Sequence, residues 1–148
     1  MKKIMKEFET SIFGFKTKLL NVRCKEVDGE EVLDVDFSLL AQQIFYDLLS
    51  HPIRLTGNQL RFMRKHLGLR QEDMMDLVGI EQSNFSRLEA KGDQIAFEND
   101  IDLIGLKAEF AKIMLKQRKW KNVRELSKFI HAASEFKNPK RVFVRKLA

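Results

Sequence analysis

Cysteine is nearly absent: Cys24 stands alone in 148 residues. The chain therefore has no internal disulfide and no cysteine-built zinc site, and a reducing, intracellular setting is the expectation. Long apolar runs are missing as well. None approaches the roughly 18 residues that a membrane span needs, and the opening Met1-Lys2-Lys3-Ile4-Met5-Lys6-Glu7 is too charged for the apolar region of a signal peptide. The expectation is a cytoplasmic protein with no membrane partner. No internal repeat or low-complexity tract occurs, and no residue set points to a cofactor or a metal.

What is present is a chain 44% hydrophobic, enough to bury a core on folding. The net charge of +6 is unevenly spread: Met1 to Leu106 carry 14 Lys/Arg against 18 Asp/Glu, whereas Lys107 to Ala148 carry 13 against 3. A polycationic last third suits phosphate backbones through counterion release, and suits a solvated helix face equally well.

Three segments follow, in a mainly α fold with a small β element. Residues 1–53 read as an N-terminal module. A short helix is expected over Lys2 to Glu9, then a β-hairpin turning at Asp28-Gly29, since a type I′ turn needs positive φ at both central residues. A helix capped by Ser38 follows and runs to Ser50, where His51-Pro52 ends it. Residues 54–106 read as short helices punctuated by glycine. Residues 107–148 form a basic extension. The helical pattern from Phe97 to about Lys119, with a break expected at Gly105, leads into it, and a helix opening on the capping-box pattern Asn122-Val123-Arg124-Glu125 continues it. Asn138-Pro139 then turns the chain into a terminal strand, Arg141 to Arg145, placed to join the hairpin.

The middle segment carries the most specific pattern. Thr56 caps a helix with Leu60, Met63 and Leu67 on one stripe, and Gly68 closes it. Gln71 to Val78 forms a second helix and Gly79 the turn. Gln82-Ser83-Asn84-Phe85-Ser86-Arg87-Leu88-Glu89 forms a third, with Phe85 and Leu88 inward and Gln82, Ser83, Asn84, Ser86 and Arg87 outward. Amide side chains pair with adenine edges, Arg with guanine and Ser with several edges, so the outward set has the chemistry of base reading.

Those residues, Leu55-Thr56-Gly57-Asn58-Gln59-Leu60-Arg61-Phe62-Met63-Arg64-Lys65-His66-Leu67-Gly68-Leu69 through Glu81 to Glu89, resemble the Cro/lambda-repressor-like (XRE) helix-turn-helix regulators. The likeness covers about a quarter of the chain. It implies a lambda-repressor-like bundle and an ion pair between Arg64 and Glu89 bracing the first and third helices. It further implies a base-reading set of Gln82, Ser83, Asn84, Ser86 and Arg87, with a contact from Gln71 to phosphate or a base, while Arg70 adds a cation near the backbone as a phosphate candidate. Lys91, Lys116, Arg118, Lys119 and Lys121 are the further basic candidates for phosphate. The expected function is a sequence-specific transcriptional regulator, a repressor acting as a homodimer on a palindromic operator of double-stranded DNA. Leu55-Thr56-Gly57 with Arg61 to Lys65 is similar to antitoxin-type regulators of the MqsA, YgiT and HigA kind, which implies autoregulation and a cognate toxin protein as partner; a phage-type or free-standing regulator without a toxin fits the same residues, and the sequence does not choose between the two. The zinc-binding cysteines of the MqsA kind are missing. Arg70, Met75 and Glu81 depart from the family pattern, which has Ser, Ala and a Ser or Thr cap there.

Two other classes stand beside this reading. His131 and Glu135, four apart on one expected helix face, have the spacing for proton transfer in a nucleic-acid enzyme, although such a pair is ordinary on a charged surface helix. Ser38 to Ser50 together with Trp120 are the elements of a protein-interaction module, and Trp120 fits the space between two helices just as well.

Overall fold

In the computed structural model, residues 2–117 and 142–144 are described. They form a small sheet and five helices: β1 (Lys2–Thr10), β2 (Thr17–Val27), β3 (Glu30–Leu33), α1 (Phe37–Ser50), α2 (Gly57–His66), α3 (Met74–Val78), α4 (Gln82–Glu89), α5 (Asp100–Lys116) and β4 (Val142–Val144). A 3-10 turn, Gln71–Asp73, leads directly into α3. No helix of the described residues is long and apolar enough to cross a membrane. The chain divides into two compact units, Met1–Asp47 with Arg141–Ala148, and Leu48–Lys140.

In the first unit β2 is the central strand. It pairs antiparallel with β1 in one register from Lys2↔Lys25 to Thr10↔Thr17, and with β3 from Cys24↔Leu33 to Val27↔Glu30. The hairpin between β2 and β3 turns on Asp28 (φ 52°) and Gly29 (φ 81°), the two positive angles a type I′ turn requires. β4 runs parallel to the other end of β2, Thr17↔Val142 to Leu19↔Val144.

Lys2–Thr10 is a strand, not the helix its sequence suggested. Ile4, Met5 and Phe8 have helix-like spacing, but pairing with β2 decides the conformation, as tertiary context does for weak local preferences. The alternation of β2 also changes phase: Thr17 and Leu19 are buried, then Val22 and Cys24, with Asn21 at φ 54° between them. Asn tolerates this left-handed conformation better than most residues. Burial raises the Cys24 thiol pKa, which keeps it protonated and unreactive. The start of α1 is also corrected by two residues. Asp36, rather than Ser38, supplies the cap, its Oδ1 accepting from the backbone N–H of Ser38 at 2.9 Å and of Leu39 at 3.2 Å.

The second unit buries Leu55, Leu60, Met63, Met74, Phe85, Phe97, Leu103, Leu106, Phe110 and Met114. α5 runs through Gly105 without a break, since one glycine costs a helix only about 1 kcal/mol. Asn99 caps it by accepting from the Ile101 N–H at 2.8 Å. Lys107, in the middle of α5, is buried, and its Nζ donates to the carbonyls of His51 and Ile53, both at 3.0 Å. Burial pushes its pKa down to about 7. Arg54 reaches Asp100 at 3.1 Å, so the stretch that follows α1 is held to α5 at two points.

Candidate functional site

α2, α4 and the 3-10 turn before α3 meet at one buried carboxylate. α2 begins with a complete capping box: the Gln59 N–H donates to Thr56 Oγ1 at 3.2 Å, and the Thr56 N–H donates to Gln59 Oε1 at 3.0 Å. Its first turn lies against the chain that leaves α4, with the Gly57 N–H donating to Gln94 O at 3.1 Å and the Asn58 N–H to Gly92 O at 2.9 Å. Position 57 has room only for glycine. A Cβ there would lie 2.6 Å from the carbonyl oxygens of both Leu88 and Glu89 and 2.9 Å from Gly92 N.

Glu89, at the end of α4, has no exposed side-chain surface. Arg64 Nε donates to its Oε2 at 2.6 Å and Arg64 Nη2 to its Oε1 at 2.9 Å, while Arg64 Nη1 donates to Leu69 O at 2.8 Å. One guanidinium thus joins α2, α4 and the turn before α3 in a bidentate, charge-assisted arrangement. Gln71 Nε2 adds a bond to Glu89 Oε1 at 3.0 Å, and Arg61 Nε one at 3.4 Å. Burial alone would raise the Glu89 pKa. The hydrogen bonds from Arg64, Gln71 and Arg61, with the Arg64 charge, outweigh it and hold the carboxyl below its ordinary value.

α3 ends on Gly79 (φ 73°), whose N–H donates back to Met75 O at 2.9 Å. Glycine takes this left-handed corner without strain, and the chain re-enters a helix three residues later. Glu81 precedes α4 in extended conformation and makes no side-chain cap. Phe85 and Glu89, one turn apart, are buried. Gln82, Ser83, Asn84, Ser86 and Arg87 are all exposed, so α4 presents five hydrogen-bonding side chains from a helix fastened on its opposite side.

The expected phosphate contacts fare differently. Arg70 is exposed but sits between two carboxylates, Glu72 at 2.9 Å and Asp73 at 3.3 Å. The Asp73 hydrogen bond, its charge and that of Glu72 raise the Arg70 pKa, while hydrogen bonds from the Arg70 backbone and side chain lower that of Asp73. The Gln71 amide is turned to Glu89 as described. Lys91 Nζ donates to Ala96 O at 2.9 Å. Lys116 is exposed in the last turn of α5. Arg118, Lys119, Trp120, Lys121, the helix expected from Asn122, the pair His131 and Glu135, and the Asn138-Pro139 turn lie outside the described residues.

Two functional partners are missing from the sequence reading. Thr56 is expected as the cap without its reciprocal partner Gln59, although Thr56-x-x-Gln59 has the spacing of a capping box. Arg61 had no local signal, because its partner Glu89 is 28 residues away. Compared with family models, curated proteins and solved structures, the chain matches none.

Proposed function

We propose that the chain is a sequence-specific DNA-binding transcriptional regulator, a repressor of the Cro/lambda-repressor-like kind, with α3 and α4 as its helix-turn-helix. The observation that carries this reading is α4 itself. Five exposed side chains able to bond base edges share one short helix whose other side is locked by Phe85 and by the Glu89 network. A helix of this size fits the major groove of B-DNA, and its polar side chains can discriminate base pairs there. The fixed mount matters because base reading depends on hydrogen-bond geometry, and a helix that rolled on its neighbours would lose it.

Charge supports a division of labour between specificity and affinity. Leu48 to Gln117 carry ten Lys/Arg and ten Asp/Glu, whereas 118–148 carry ten against two. The reading helix sits in a neutral stretch, and the general attraction to phosphate comes from the chain that follows. Two copies on a palindromic operator, with half-sites about one helical turn or 34 Å apart, complete the proposal.

Selection of bound sequences from a random DNA library tests it. The expected product is one enriched motif with two-fold symmetry. Asn84→Ala or Arg87→Ala should then cost about 1 to 3 kcal/mol on that motif and relax the preference at a single base position per half-site. A library that returns unenriched overturns the reading.

A further inference from the structure

The two arginine clusters of the second unit differ in what remains after pairing. Around Glu89 there are two guanidinium groups, Arg61 and Arg64, for one carboxylate. Around Arg70 there is one guanidinium for two carboxylates, Glu72 and Asp73. The first cluster keeps a surplus positive charge and the second a surplus negative one. Phosphate, an anion that only accepts hydrogen bonds here, is attracted to the first and repelled by the second.

Within the first cluster the surplus belongs to Arg61. Arg64 is 10% exposed and spends its three kinds of nitrogen on Glu89 and Leu69 O. The Arg61 side chain is 45% exposed and touches Glu89 through Nε alone. A guanidinium has five N–H donors in a planar fork, so anchoring at Nε leaves the outer edge with its Nη donors for an anion. Gln71 donates to the same Oε1 atom at 3.0 Å. A carboxylate can only accept, so the Gln71 amide must turn its NH2 group to Glu89, which leaves it a second N–H to give. Glu89 thereby acts as a positioning residue that sets two donor groups next to each other at the end of α4, two residues from Arg87.

We infer that Arg61, aided by Gln71 and positioned by Glu89, is the principal contact of the stretch from α2 to α4 with a nucleic-acid phosphate, and that Arg70 is not one. This rests on the DNA-binding reading above and names the group that fixes α4 against the backbone. The contact carries no sequence information. It sets register and orientation, the usual work of phosphate contacts.

The test measures binding of the full chain to a random-sequence duplex and to the selected motif across a salt series, for wild type, Arg61→Gln and Arg70→Gln. Thermal melts confirm that the variants are folded. Arg61→Gln is expected to weaken both duplexes by a similar factor, on the order of tenfold for a lost charge-assisted bond. It should also reduce the slope of log affinity against log salt by about 0.9, the value for one phosphate. Arg70→Gln is expected to leave the slope unchanged and to weaken binding only slightly, through the repulsion of the two carboxylates it frees. A wild-type slope and affinity in Arg61→Gln, or a larger loss in Arg70→Gln, overturns the inference while leaving the regulator reading intact. Arg61-dependent binding with no preferred motif overturns the regulator reading and leaves the phosphate contact standing. A wild-type chain that binds neither duplex overturns both.

Discussion

Glu89 and Arg70 are both acid–arginine centres, and Gln71, the residue after Arg70, donates to Glu89, yet they do opposite things with the same chemistry. The Glu89 centre is buried, takes donors from Arg61 and Arg64 of α2 and from Gln71 in the turn before α3, and so joins elements distant in sequence. The Arg70 centre is exposed and made by residues two and three apart. Burial makes the first costly to break, because a charge stripped of its partner stays out of water. Solvent makes the second nearly free, since water and salt replace what the partner gave.

The largest effect should come from Glu89→Ala, which leaves Arg64 buried without its carboxylate. A loss of about 3 to 5 kcal/mol in urea unfolding is expected, and a loss well under that would place the joint between α2 and α4 elsewhere. Next is Gly57→Ala. The added methyl meets only backbone atoms, which cannot swing aside, so α2 must back away from α4 at a cost of about 1 to 3 kcal/mol. A neutral result in the same unfolding assay would show that this contact is soft.

Acid should weaken the Glu89 centre. The folded Glu89 pKa lies below the ordinary carboxylate value of about 4.3, so the folded form binds the proton less readily than the unfolded chain. Its contribution to stability is complete above that value and is lost as pH falls through the folded pKa. The gap in melting temperature between wild type and Glu89→Gln should therefore be widest near neutrality and narrow in acid; a gap constant with pH would remove the charge from the account. The smallest effect is Arg70→Ala, which should leave the urea midpoint unchanged. A clear drop there would erase the distinction between the two centres.

How far the sequence reached follows the same divide between near and distant partners. The Asp28-Gly29 turn, the Thr56 cap and the left-handed glycines at 68 and 79 were legible, because each is decided within a few residues. Phe85 inward with its neighbours outward was legible from helical period alone. β1 was misread because its pattern is weak and its conformation belongs to the pairing with β2. Asp36 displaced Ser38 as the cap because Asp and Ser are about equally good caps and local sequence does not rank them. Where the polar heads go was the least legible part. That Gln71 faces Glu89, that Lys91 bonds Ala96 O and that Lys107 serves two carbonyls more than 50 residues back all depend on tertiary neighbours.

The seating of α2 against residues 92–94 has a consequence for how the molecule can hold an anion. A helix start is ordinarily a ready anion receptor, since its first N–H groups point outward with the positive end of the macrodipole. In α2 those of Gly57, Asn58 and Gln59 are already given to Gln94 O, Gly92 O and Thr56 Oγ1. The receptor is filled from within by the chain's own oxygens. Any polyanion gripping this helix must be held by side chains along its flank, which makes the grip adjustable by single substitutions without disturbing the helix that supports it.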